Sequence, residues 1–390
     1  MKLAERMNAI KPSGTIAMAE KARELAKSGR KLYNLDVGEP DFDTPEHIKR
    51  AAIDALMDGF THYTSSLGII ELRRAIAEHL RERMGLDIDP EKEVIVTPGA
   101  KHAIYCACLA ILDPGDEVLV LTPTWPTHFT CVEAAGASVI EVPCGETYSL
   151  DEELLKERIT PKTKMIIVNS PNNPTGGVLS VDELKVIADL VAEHDLLVLS
   201  DEIYDEIIYD GFEFRSMASF GNIKDNVILI NGFSKAYAMT GWRLGYAVAN
   251  KTIIDAMNRI QQATTTCPAS FVQRAGIAAL KGSQDCVKKM VEEFDRRRKY
   301  IVKALNEISC VKCVMPKGAF YVFPRFSGLN MSSFEISMRL LEEEGVSTTP
   351  GSVFGKCGEG HIRLSYATSL EIIVEAMEKV KAFVEKYLSI

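Results

Sequence analysis

Lys235 and Arg243 stand within one stretch, Asn231-Gly232-Phe233-Ser234-Lys235-Ala236-Tyr237-Ala238-Met239-Thr240-Gly241-Trp242-Arg243-Leu244-Gly245. The apolar run Val227 to Asn231 leads into it and predicts a buried strand. Lys235 then falls just past a strand end, at the rim where α/β sheets build their sites. Desolvation at such a rim disfavours the ammonium and leaves a neutral, nucleophilic amine. Such an amine forms an imine with an aldehyde. Ser234 adds a hydroxyl and Arg243 a planar cation rich in N–H donors, a pair suited to a phosphate dianion. Aldehyde and phosphate occur together in pyridoxal 5′-phosphate. A serine–lysine pair in a turn is common, so this chemistry needs further groups elsewhere in the chain.

Those groups need elements to place them. From Val94 onward, short apolar runs alternate with helical patterns. The runs are Val94–Thr97, Glu117–Leu121, Ser138–Val142, Met165–Asn169, Leu196–Ser200, Val227–Asn231 and Leu244–Ala249. Ala103, Ala107 and Ile111 mark one intervening helix, and Ser180-x-x-Glu183 is a capping box that opens another. Alternating strands and helices predict a mostly parallel sheet of seven strands sandwiched by helices, the α/β class. The link from Arg243 to the last run is too short for a crossover, so that strand is expected to be antiparallel. Thr44 reads as the N-cap of an earlier helix with Pro45 at its first position, and the stretch from Leu35 to Pro45 as a short strand and then a loop. The turn residues Pro12-Ser13-Gly14 lie further upstream. From Val311 the chain shows short strands, Ala319–Phe323 and His361–Leu364, and a closing amphipathic helix through Ile373, Met377, Val380 and Val384. This predicts a smaller α+β domain. The expected division is 1–46 joining the small domain, 47–284 as the large domain and 285–390 as the small one.

Five polar clusters follow strands of the large sheet, at the carboxyl edge where such folds bind ligands. Gly99-Ala100-Lys101 opens a helix whose free N–H groups suit a phosphate. Trp125, in Thr122-Pro123-Thr124-Trp125, can stack on a pyridine ring. Asp201 can hold a pyridine nitrogen protonated, and so make the ring an electron sink. Tyr204 and Asn173 can hydrogen-bond the ring's phenolic oxygen and lower the pKa of the lysine imine. The fifth cluster is Ser234-Lys235 itself. His128 can support Asp201 from behind, or serve as an ordinary core histidine.

The whole-chain properties agree. The chain has 390 residues and a formal net charge of −9, enough for two domains and unsuited to sequence-independent binding of nucleic acid or anionic membrane. No apolar run is long enough to span a bilayer, no leader pattern stands at the N-terminus, and nine cysteines lie scattered in apolar segments. A cytoplasmic protein with reduced thiols is expected. Cys310, Cys313, Cys357 and His361 do not have the spacing of a zinc module, so no metal is expected. The basic run Arg296-Arg297-Arg298-Lys299 sits in a helical pattern and predicts a solvated face.

Taken together, the motifs resemble the fold-type I, pyridoxal-phosphate-dependent class I aminotransferases over essentially the whole chain, and most closely the prokaryotic aspartate, aromatic and alanine group. The matching stretches are Gly38-Glu39-Pro40-Asp41-Phe42, Tyr63-x-x-x-x-Gly68, Thr124-Trp125-Pro126, Asn169 to Gly176, Ser200 to Tyr204, Ser234-Lys235 with Arg243, and His361 to Ser365. The resemblance implies that Lys235 is the imine lysine and that Arg363 grips the substrate α-carboxylate. It implies that Gly38 lies on a segment closing over the substrate, and that Trp125 and Asn173 also meet it. It implies that Tyr63 reaches the phosphate of a neighbouring subunit, hence a homodimer with shared sites. Gly232 departs from relatives that carry a hydroxyl there.

The implied reaction moves an amino group from an amino acid to a 2-oxo acid. Lys235 transfers the α-proton, and two half-reactions give ping-pong kinetics. Lys101 is expected to read a distal carboxylate, which favours aspartate and 2-oxoglutarate. Alanine or aromatic donors, and a β-lyase or decarboxylase on the same fold, are the alternatives. A cofactor-sensing transcription regulator would need a DNA-binding domain, for which there is no room before Asp36.

Overall fold

The computed structural model describes Met7, residues 16–145 and residues 147–388. The Pro12-Ser13-Gly14 turn falls outside the described residues. The first strand, β1 (Tyr33–Asn34), lies apart from the main sheet. The next seven are β2 (Val94–Thr97), β3 (Glu117–Thr122), β4 (Ser138–Pro143), β5 (Thr163–Asn169), β6 (Leu197–Asp201), β7 (Val227–Gly232) and β8 (Gly245–Val248). They form one sheet in the order β2-β8-β7-β6-β5-β3-β4. Only β8 runs against its neighbours, pairing antiparallel with both β2 and β7. The sheet is thus the mostly parallel, seven-stranded one expected, with the antiparallel strand where the short connection requires it.

Its strands are apolar on both faces because helices cover both. Along β2, Val94 and Val96 enter one core while Ile95 enters the other. Leu119 and Leu121 on β3 face the first core, and Val118 and Val120 the second. The helix Val181–Glu193 opens with the expected capping box between Ser180 and Glu183.

A further core joins the C-terminal elements to the N-terminal segment. The remaining strands are β9 (Val311–Lys312), β10 (Tyr321–Val322), β11 (Arg325–Phe326), β12 (Val346–Ser347), β13 (Thr349–Pro350) and β14 (Ile362–Ser365). β14 lies between β10 and β13, and β1 pairs in parallel with β12. The N-terminal strand therefore sits at Tyr33–Asn34, just before the stretch from Leu35 in which it was expected. Helix Leu370–Leu388 packs on helix Asp285–Asn306.

Two local expectations are corrected. The helix Glu46–Met57 has Pro45, not Thr44, at its N-cap, with no side-chain capping bond. The Thr44 hydroxyl instead donates to the Ala238 carbonyl at 2.7 Å, a tertiary bond that wins over the local cap. The basic run is not a uniformly solvated face. Arg297 and Arg298 are only 6% and 1% exposed. Helical spacing puts them beside Met290, Phe294 and Ile301 on the buried side. Carboxylates neutralise them there: Asp41 and Glu293 for Arg297, Asp210 and Asp295 for Arg298. No described helix is long and apolar enough to cross a membrane.

Candidate active site

The carboxyl ends of the parallel strands open onto a cavity of about 450 Å³. Each of the five predicted clusters reaches it, through Ala100 and Lys101, Trp125, Asn173, Asp201 and Tyr204, and Ser234 and Lys235. Arg243, Gly38 and Arg363 line it too.

Lys235 lies at the centre. Burial lowers its pKa to about 8, aided by the nearby charges of Arg363 and Arg243 and opposed by Glu39 and Asp201. Its Nζ donates to the Gly38 carbonyl. A large fraction of this lysine is therefore a neutral amine near pH 8, the state that nucleophilic attack and proton abstraction require.

Behind the cavity a buried relay leads to Asp201. His128 Nε2 lies 3.0 Å from Asp201 Oδ2, and His128 Nδ1 lies 2.8 Å from Thr124 Oγ1. A neutral ring with its proton on Nε2 satisfies both contacts, donating to the carboxylate and accepting from the hydroxyl. The relay holds Asp201 Oδ2 and the Ile203 N–H meets Oδ1 at 3.3 Å, which fixes the carboxyl group at the cavity wall. Trp125 stands edge-on to His128 at 5.8 Å between ring centres.

One corner is built for an anion. Gly99, at φ +85°, turns the chain into helix Ala100–Ile111. The Arg243 Nη2 atom approaches to 2.6 Å of where a Cβ on Gly99 would stand, so only glycine lets the guanidinium close in. Gly245 serves the same corner: a Cβ there would lie 2.3 Å from the Ala100 nitrogen. The Gly232 departure also has a steric reason. Gly232 pairs with Gly245, whose Cα would lie 2.9 Å from an added Cβ.

The opposite wall comes from the N-terminal segment and the C-terminal strands. Arg363, on β14, donates to Asn173 Oδ1 at 3.1 Å, to Thr349 Oγ1 at 3.1 Å and to the Asp36 carbonyl at 2.6 Å. Its Nε is buried without a partner, and no carboxylate among the described residues pairs with it. A buried cation with an unmet donor suits a carboxylate ligand. Asn173 spends its Oδ1 on Arg363, which leaves its side-chain N–H groups for a ligand.

The chain matches the family model of the class I and II aminotransferases over residues 30–380. It is 43% identical to an aspartate aminotransferase of Pyrococcus abyssi and 42% identical to an aromatic-amino-acid aminotransferase of Thermococcus litoralis, each alignment covering 100% of both chains. A solved structure of Thermus thermophilus aspartate aminotransferase with maleate superposes with a TM-score of 0.93 at 43% identity, covering 98% of this chain and 99% of that one. The chain belongs to the class I and II aminotransferases.

Two predicted residues of this aminotransferase lie off the cavity lining. Gly99 stands behind Ala100, and Tyr63 is 87% exposed on the rim of a separate groove with Cys267 and Phe271. Sequence reading missed others that line it. Tyr321, from β10, stands against Arg363, with the guanidinium 4.7 Å from the ring centre. Glu39 accepts from the Thr240 hydroxyl at 2.8 Å and ties the Gly38 segment to the lysine turn. Glu39 sits inside the Gly38-Glu39-Pro40-Asp41-Phe42 motif, whose match to the family is the sequence signal for it. Thr124 likewise precedes Trp125 and stands one helical turn before His128.

Proposed function

We propose that this transaminase uses pyridoxal 5′-phosphate to move the amino group of aspartate to 2-oxoglutarate. The observation that carries the cofactor is the buried, partly neutral Lys235 between the Gly99–Arg243 anion corner and Asp201. Those residues fit the group: an amine for the aldehyde, N–H donors for the phosphate, a carboxylate for the ring nitrogen, and Tyr204 and Asn173 for the phenolic oxygen. When bound, the cofactor supplies an aldehyde that receives the amino group and a ring that takes up electrons from the substrate α-carbon.

The chain's own residues do the rest. Arg363 and Asn173 orient the substrate carboxylate. Lys235 takes the substrate α-proton as a neutral amine and, as the ammonium so formed, would deliver it to the carbon that brought the aldehyde, so that the amino group changes carrier. Asp201, backed by His128 and Thr124, holds positive charge at the ring nitrogen. Trp125 excludes water from one face. Lys101 carries its Nζ 4.8 Å from the Trp125 ring centre, at the cavity rim, where a distal carboxylate would meet it. The names of the aspartate-using relatives support that substrate. Borohydride reduction of the yellow protein followed by peptide mapping is expected to label Lys235; a label on another lysine refutes the assignment.

Further proposals attach to this reading. The division at 47–284 and 285–390, with 1–46 joining the smaller part, has support in the separate C-terminal core and the β1–β12 pairing. Nine cysteines without a disulfide suit a reducing compartment such as the cytoplasm. The protein acts as a homodimer in which Tyr63 serves the partner's phosphate, a role consistent with so exposed an aromatic outside its own cavity. Inactive Lys235→Ala and Tyr63→Phe variants, mixed and allowed to exchange, should regain activity in hybrids with one intact site. Proven exchange without recovery counts against sharing.

A further inference from the structure

The hydroxyls of Tyr204 and Tyr321 lie 2.8 Å apart, with the rings edge-on at 5.7 Å and 83°. Tyr204 follows β6 of the large sheet, and Tyr321 belongs to β10 on the opposite wall. Both are nearly inaccessible, at 3% and 1% exposure, yet both line the cavity. Tyr321 also meets the other two working parts of its wall. Its ring packs on the Arg363 guanidinium, and its oxygen lies 2.6 Å from where a Cβ on Gly38 would stand.

Each hydroxyl has one hydrogen and can accept others. If Tyr204 gives its hydrogen to a group in the cavity, it can only accept from Tyr321. We propose that Tyr321 is a positioning residue whose hydroxyl donates to Tyr204, fixing the Tyr204 O–H toward the cavity and strengthening it as a donor. This rests on the pyridoxal phosphate reading, in which Tyr204 faces the phenolic oxygen. The surroundings favour that polarity. Burial raises both phenols and the Arg363 charge lowers both, but the guanidinium packs directly on the Tyr321 ring, which makes Tyr321 the better donor. The charged groups facing the pair are Arg363, Asp201 and Lys235.

The test is the pH midpoint of the bound cofactor's absorbance change in the holoenzyme. Removing a donor from the phenolic oxygen leaves that oxygen more basic and moves the midpoint up. Tyr204→Phe is expected to raise it by about one unit, and Tyr321→Phe by roughly half a unit. In a Tyr204→Phe background, Tyr321→Phe should add no shift, because its partner hydroxyl is gone. An unmoved midpoint in the single variant, or an equal shift in both backgrounds, overturns the proposal. A coloured protein with an unmoved midpoint refutes the Tyr321 role alone. A protein that takes up no cofactor on Lys235 refutes the functional reading and this proposal together.

Discussion

The two walls of the cavity are built differently. The sheet wall takes Asp201 and Lys235 from the ends of paired strands or the turns just beyond, on strands locked by regular ladders. The opposite wall takes Arg363 from a four-residue strand and Gly38 from a loop. Beyond the short β10-β14-β13 ladder, this wall is tied to its opposite by bonds across the cavity, from Arg363 to Asn173, Lys235 to Gly38 and Tyr321 to Tyr204. A wall fixed by its own sheet can hold reacting groups still. A wall fixed by contacts to its opposite can adjust when a ligand replaces those contacts. Under the proposed function, the difference suits the first wall to chemistry and the second to substrate grip.

The largest expected effect falls on the sheet wall. In the proposed site, Asp201→Asn keeps the shape but removes the carboxyl group that would face the ring nitrogen. Turnover is expected to fall by on the order of 10²-fold or more, with the cofactor still bound. Single-turnover absorbance with a saturating donor reads this step. Near-normal turnover at full occupancy would break the division of labour.

The opposite wall should respond through binding. Arg363→Lys keeps a charge but loses the planar fork. KM for donor and acceptor is expected to rise by about one to two decades, with a smaller change in kcat. An equal loss in kcat and kcat/KM, with KM unmoved, would place Arg363 among the reacting groups.

Much of the sheet wall was legible in the sequence. Central strands buried on both faces read as apolar runs, and the polar residue that ends such a run sits at the carboxyl edge by construction. Asp201 and Lys235 were found this way. The opposite wall was legible only through motifs: Gly38 and Arg363 lie in matched stretches, whereas Tyr321 lies in a two-residue strand with no periodic signal. Its role depends on Tyr204, which is 117 residues away in sequence. Thr44 and the Arg297–Arg298 pair failed for the same reason. A tertiary acceptor outcompeted a local cap, and carboxylates from elsewhere in the chain made buried arginines tolerable.

Lys101 tests whether the cavity rim discriminates between substrates. Lys101→Ala is expected to lower kcat/KM for aspartate relative to alanine by about one to two decades, with cofactor affinity little changed. Equal losses for both donors would assign Lys101 to the phosphate corner. Preference for an aromatic donor in the parent enzyme would replace aspartate while leaving the transaminase reading in place.

The smallest effect concerns two adjacent carboxyls on the sheet wall. Asp201 faces the cavity, whereas Glu202 turns into the interior. Glu202 Oε1 accepts from Ser200, Ser216 and the Met217 N–H, while Oε2 is buried without a partner. Burial raises its pKa from 4.5 to about 8, with those hydrogen bonds opposing. The folded protein therefore keeps this proton while the unfolded chain releases it, and between these two values the native state binds more protons. Stability from this group is full below about pH 4.5 and is lost as pH rises through about 8, with a slope of up to about 1.4 kcal/mol per pH unit. Glu202→Gln stays neutral throughout and removes that slope. Urea midpoints across this range should give a flatter profile for the variant, which gains on the parent toward alkaline pH. Parallel profiles would mean that Glu202 ionises in the folded protein much as it does in the unfolded chain.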